Sequence, residues 1–190
     1  MKSQIKRSIK FSVSIAVITF VLAAIFSIIS SSLLDGVVWI VGLFIVLVIV
    51  LIGVAFDVLG IASTAANETP FHAMAAEKVK GAKEAVNIIR NADKFASFCN
   101  DVIGDISGIV SGTATAIVVI QIAGLFQHNT STLQIVLSVV LTSIVAAITV
   151  GGKALGKYFA INASTKIIFF AGKVIYVLES KFKLKILPKN

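Results

Sequence analysis

Apolar residues run through this chain in four long stretches, and the charged residues fall between and beyond them. Phe11–Ile29 is 19 residues without a charge, and Val37–Phe56 is 20. Ile106–Phe126 holds only Gln121 as a strongly polar residue. Leu133–Val150 is 18 residues interrupted only by Gln134, Ser and Thr. As helices rising 1.5 Å per residue, each run is about 27–32 Å long, which matches a hydrocarbon core about 30 Å thick. The pattern predicts an all-α, polytopic bundle with four spans. The short polar connections Ser30–Gly36 and Gln127–Thr132 predict tight hairpins at one membrane face. The first run follows a basic segment, yet it exceeds the apolar length of a secretion signal and no small-x-small cleavage site follows. It is read as a retained span.

Two further segments predict helices that do not cross. Thr69–Arg90 opens with Thr69-Pro70, an N-cap and first-turn pair, and continues with Ala73, Ala75, Ala76, Ala82 and Ala85 among Lys and Glu. That composition suits a juxtamembrane helix. Ala163–Ser180 is apolar but interrupted by Lys166, Gly172 and Lys173. On a helix the two lysines share a side with Asn162, opposite Phe169, Phe170, Ile175, Val177 and Leu178. It reads as an amphipathic helix in the interface, its lysines reaching headgroups; a fifth span is the competing reading.

Composition supports the membrane assignment. Charged residues are 14% of the chain, against roughly a quarter in soluble domains, and the mean hydropathy is +1.01. All 17 Lys and Arg residues lie before the first span, between the second and third, or after the fourth. With four spans these segments fall on one side, which the positive-inside rule makes the cytoplasm. The net charge of +8 is therefore a topology signal and a surface for anionic lipid headgroups, not a nucleic-acid footprint. Both termini are expected in the cytoplasm, in a multi-pass protein of the cell membrane. Cys99 is the single cysteine, which excludes an internal disulfide; it reads as a small buried hydrophobe. His72 and His128 fall on opposite membrane faces, so they do not share a metal. No nucleophile–base pattern, phosphate-binding glycine loop or CxxC is present, so neither an enzyme nor a resident cofactor is expected.

The informative residues are acidic ones bordering lipid. Asp57 ends the second apolar run, and Asp101 and Asp105 precede the third. An aspartate at the centre of a spanning helix costs about 2.5–3.5 kcal/mol on insertion scales, less near the interface. On a 100° wheel Asp101, Asp105, Gly108 and Gly112 fall within about 60° of one another. Gly104, Gly108 and Gly112 form a small-xxx-small ladder beside Ser107, Ser111 and Thr115, a face expected to pack on protein. In the second span Gly53, Asp57, Thr64 and Glu68 share a side. Two acidic, glycine-lined faces are thus expected to meet. Their carboxylates, with Asn100, Ser107 and Thr64, are hard oxygen ligands suited to Mg²⁺, Ca²⁺ or Na⁺. The competing reading has the aspartates capping helices or pairing with Lys94 or Lys153.

From about Val37 to Leu178 the order of these features resembles the transmembrane domain of the CNNM/CorC (CorB-like) magnesium transporters. Phe56 opens the place of the family's Phe-Ser-x-Ser-Glu motif. Lys80-Gly81-Ala82-Lys83 and Ala92-Asp93-Lys94-Phe95 follow at matching distances. Gly152-Lys153-Ala154-Leu155-Gly156-Lys157 stands where Gly-Glu-x-x-Pro-Lys is expected, and the belt helix follows. Phe56, Gly152 and Lys157 carry over directly. Asp57 replaces the motif serine and Gly60 its glutamate. Lys153 replaces the second glutamate and Gly156 the proline. Asp101 and Asp105 have the spacing of the family's asparagine pair, displaced by about two residues. A lysine beside an ion path repels a divalent cation unless it pairs with one of the extra aspartates.

The resemblance implies divalent cation transport, Mg²⁺ foremost, with Na⁺ as coupling ion in an exporter, and, with the glycine ladder, a homodimer. It divides the chain into a basic N-terminus (1–10), an additional span with its outer hairpin (11–36), the family-like domain (37–180) and a basic tail (181–190). The expected cation ligands are Asp57, Asp101, Asp105, Asn100, Ser107 and Thr64. Gly53, Gly104, Gly108 and Gly112 are expected at helix contacts. A non-transporting scaffold, accessory subunit or immunity-type protein is the alternative from another class, and a passive cation pore is a second.

Overall fold

Long apolar segments in lipid must satisfy every backbone N–H and C=O within themselves, which a helix does and a lone strand does not. The computed structural model describes residues 2–34, 36–126 and 131–182, and among them every regular element is helical. The order is α1 (Lys2–Leu34), α2 (Trp39–Ala65), α3 (Thr69–Ala76), α4 (Ala82–Arg90), α5 (Ala92–Ser97), a π-helix (Phe98–Gly104), α6 (Asp105–Ala123), α7 (Ser131–Asn162) and α8 (Ser164–Phe182). Among the described residues four helical stretches are long and apolar enough to cross a membrane: Ile9–Leu34, Trp39–Ala65, Ala92–Ala123 and Ser131–Asn162. The protein is an all-α helix bundle of the membrane type. Most of the hairpin around His128 and the basic tail from residue 183 onward lie outside the described residues.

Helix ends and the ends of the apolar runs do not coincide. α7 continues to Asn162, twelve residues past Val150, and passes Gly151-Gly152 without a break. Because a helix can leave the hydrocarbon and continue in water, apolarity marks the crossing and not the helix end.

The chain folds as two compact units. One comprises Met1–Val54 and Val102–Gly152 and carries the apolar runs. In it Val102, Ile106 and Val110 are buried against Ile15, Leu22, Ala23 and Ile49, and Leu34, Val46 and Ala114 form a second cluster. Gln121, the polar residue of the third run, donates its Nε2 hydrogen to the Leu34 carbonyl at 3.1 Å. That satisfies a carbonyl left open at the end of α1. Gly53 lies against α6: a β-carbon there would come 2.7 Å from Ser107 Cβ.

The second unit comprises Ala55–Asp101 and Lys153–Asn190. Its core is Ala62, Phe71, Ala85, Val86, Ile88, Ala160, Ile168, Ala171 and Ile175. The single juxtamembrane helix expected over Thr69–Arg90 is two helices. Lys78 at φ 57° and Gly81 at φ 90° both take left-handed backbone, so the chain turns between α3 and α4, without strain at Gly81. The helix start is also one residue earlier than the Thr69 cap, since the cap residue is Glu68. The Thr69 N–H instead donates to Asn67 Oδ1 at 2.9 Å. α8 forms the expected helix over Ser164–Phe182. Ile168, Ala171, Gly172 and Ile175 are buried, whereas Phe170, Val177 and Leu178 are exposed. Lys173 Nζ stands 4.5 Å over the Phe169 ring, a cation–π contact.

Candidate cation site

Asp57 lies one residue past the apolar run of α2, and Lys153 three residues past that of α7. Their side chains meet. Lys153 Nζ is 3.5 Å from Asp57 Oδ1, with side-chain exposures of 30% and 15%. The pair brings the polar ends of two runs to one level and accounts for an aspartate at the edge of lipid. The lysine's charge is thus balanced by the aspartate's.

The π-helix carries Asn100. Such a segment, with its i→i+5 bonding, is uncommon and often sits at functional sites. Asn100 Oδ1 is buried without a hydrogen-bond partner, and its carboxamide packs directly on Gly60, where a β-carbon would overlap it. A glycine at position 60 thus leaves the space the carboxamide fills. Beside it, the Ser63 hydroxyl donates to the Gly60 carbonyl at 2.7 Å. Thr64 is exposed and donates to the Ile61 carbonyl at 2.9 Å, which leaves its oxygen lone pairs as acceptors. Asp57, Gly60, Asn100 and Lys153 all belong to the second unit.

The remaining expected ligands lie elsewhere. Asp101 and Asp105 are exposed, and among the described residues neither has an ion pair, so the Lys94 pairing is not made. Ser107 is buried and donates to the Ile103 carbonyl at 2.8 Å. The glycine ladder divides. Gly104 is buried, whereas a β-carbon on Gly108 or Gly112 would meet nothing within 4 Å. Thus Gly104 and Ser107 meet Gly53, and the side bearing Gly108 and Gly112 is open. The π-helix also widens the turn, so the 100° wheel does not carry from Asp101 to Asp105. Among the described residues no three His, Cys, Asp or Glu side chains gather where they could hold a metal ion. Phe56 is half-buried and Lys157 exposed. A β-carbon on Gly152 would lie 3.2 Å from Val54.

Against known proteins the chain matches no family model, no curated protein and no solved structure.

One polar cluster was not read from the sequence. Glu68 does not continue the face of Gly53, Asp57 and Thr64, because α2 ends at Ala65. It accepts from Arg90 Nε at 2.6 Å and bonds His72 Nε2 at 2.7 Å, tying the start of α3 to the end of α4. Sequence gives no signal for a pairing 22 residues apart except the surplus of bases nearby. The Arg90 hydrogen bond, then that of His72, holds the Glu68 carboxyl below its ordinary value of 4.5. A carboxyl whose pKa falls on folding adds stability above its unfolded pKa and loses it as pH drops through the lower folded value. Hydrogen exchange of α3 and α4 should therefore accelerate as pH falls below about 4, after correction for the intrinsic rate. Glu68→Gln should remove that pH dependence.

Proposed function

We propose that this chain is a multi-pass membrane protein that carries a divalent cation, Mg²⁺ foremost, through a site built on Asp57 and Asn100. The observation that carries the reading is the buried Asn100 oxygen without a partner, in the same unit as the Asp57 carboxylate. A buried acceptor left unpaired costs about 1–3 kcal/mol, and a cation would satisfy it. Mg²⁺ usually keeps several waters and takes only one or two carboxylates, so one carboxylate and one carboxamide oxygen suit it better than they suit Ca²⁺. Asp101 then serves as an outer carboxylate. The basic segments face the cytoplasm of a cell membrane by the positive-inside rule. Small helix shifts alternate access, and sodium-coupled export follows the resemblance. The open side of Gly108 and Gly112 suits a second copy in a homodimer.

The test is calorimetric titration of purified protein with Mg²⁺ in sodium-free detergent buffer. Binding is expected in the wild type and at least tenfold weaker binding in Asn100→Ala. The Asp101→Asn/Asp105→Asn variant examines the exposed carboxylates, and unchanged affinity removes them from the ligand set. A wild type that binds no Mg²⁺ sinks the carrier reading.

A second reading rests on the Asp57–Lys153 pair itself: a non-transporting scaffold or accessory protein in which the aspartate is held by lysine. It expects Asp57→Asn to alter stability and leave ion flux at background.

A further inference from the structure

The Asp57–Lys153 contact has features of a reversible occupant. A charge-assisted N–H···O bond between ammonium and carboxylate is about 2.7–2.9 Å long; this one is 3.5 Å, an electrostatic contact without a tight hydrogen bond. Lysine carries its charge as a compact, readily hydrated ammonium on a flexible four-carbon stem. Lys153 is the more exposed partner, at 30%, while Asp57, at 15%, stays largely enclosed. Among the described residues no hydrogen-bond donor holds the carboxylate in place of the lysine. The unpartnered Asn100 oxygen supplies a neutral acceptor in the same unit that Lys153 does not use.

We infer that Lys153 is a tethered competitor for the cation at Asp57: its ammonium neutralises the carboxylate when the site is empty and swings to solvent when a divalent cation takes its place. The inference rests on the carrier reading above and adds how occupancy is set. A doubly charged ion has twice the attraction of the lysine for the same carboxylate, so it can displace the ammonium even though the tether gives the lysine a high effective concentration. Lys153 then sets a threshold of cation concentration below which the site stays closed.

Two substitutions move the affinity in opposite directions. Lys153→Met removes the competitor and keeps the stem, and Mg²⁺ affinity is expected to rise at least tenfold. Lys153→Arg replaces the point charge by a planar fork that binds carboxylate bidentately and leaves less readily, and affinity is expected to fall at least threefold. A purely structural lysine would give no such reversal, since losing the pair would weaken binding in Lys153→Met. Asp57→Asn/Lys153→Met keeps the pair neutral, and its retained helicity and monodisperse elution report folding. It is expected to lose the gain seen in Lys153→Met.

The measurement is Mg²⁺ titration calorimetry on the full chain in sodium-free detergent for all four proteins. A rise in Lys153→Met with a fall in Lys153→Arg supports the competitor. Wild-type binding that Lys153→Met leaves unchanged or weakens overturns it while the carrier reading stands. No binding in the wild type or in Lys153→Met overturns both.

Discussion

Gly172→Val is expected to unseat α8 from α4 and to destabilise the second unit by about 3 kcal/mol. The two helices approach with backbone against backbone. A β-carbon at Gly172 would overlap the Gly81 carbonyl and come 2.9 Å from the Ala85 nitrogen. Neither is a flexible side-chain end, so relief requires one helix to move. From the other side, a β-carbon at Gly81 would lie 2.7 Å from the Lys173 nitrogen. Gly81 also has φ 90°, a conformation that costs other residues about 1–2 kcal/mol. Gly81→Ala should therefore show a similar loss by two causes, strain and overlap. Hydrogen exchange resolves the effect by segment: α8 and α4 should lose protection in either variant, while the apolar part of α2 keeps it. Gly151→Ala is the control. Nothing lies within 4 Å of its β-carbon, and inside α7 the change should stabilise by up to about 1 kcal/mol. If Gly172→Val leaves the exchange of α8 unchanged, the close approach does not hold the two helices together.

What the sequence made legible, and what it did not, follows from the solvent. Apolar runs such as Val37–Phe56 identify crossings because lipid demands length and apolarity, and each of the four runs coincides over most of its length with an observed helix. Helix ends are not set by lipid, so α7 running to Asn162 was not legible. The break at Gly81 was hidden because a glycine among alanines reads as a tolerated helix residue. Only its packing on Lys173 reveals why it is glycine. The side of α6 that packs within the chain was legible only in part. In water the apolar stripe marks the core, but in lipid both sides of a span are apolar and small residues suit either. Ser107, Ser111 and Thr115 are buried while Gly108 and Gly112 are open, which a helical wheel does not distinguish. The Asn100–Gly60 contact joins residues 40 apart with no complementary charge to advertise it. Lys153, by contrast, was identifiable as a partner for one of the aspartates, because an excess charge at the edge of lipid needs its opposite nearby.

That pairing leads to the second large effect, in stability rather than binding. Asp57→Asn should cost about 2–3 kcal/mol, because it strands the Lys153 ammonium in a partly desolvated position. Breaking a fully buried pair costs about 3–5 kcal/mol, and the 30% exposure of Lys153 reduces the figure by letting the stem reach solvent. Lys153→Met strands the carboxylate and should cost slightly more, since Asp57 is the more enclosed partner. The double variant Asp57→Asn/Lys153→Met should return to within about 1 kcal/mol of the wild type, because removing both charges removes the desolvation penalty with the attraction. Thermal unfolding of the four proteins in one detergent closes the cycle, and a coupling of about 2 kcal/mol is expected for groups in contact. Adding Mg²⁺ to each sample separates the carrier from the scaffold. A ligand that binds only the folded state raises its stability, so a carrier should gain most in Lys153→Met, where the carboxylate is unopposed. A scaffold should show the same coupling energy and no dependence on the ion.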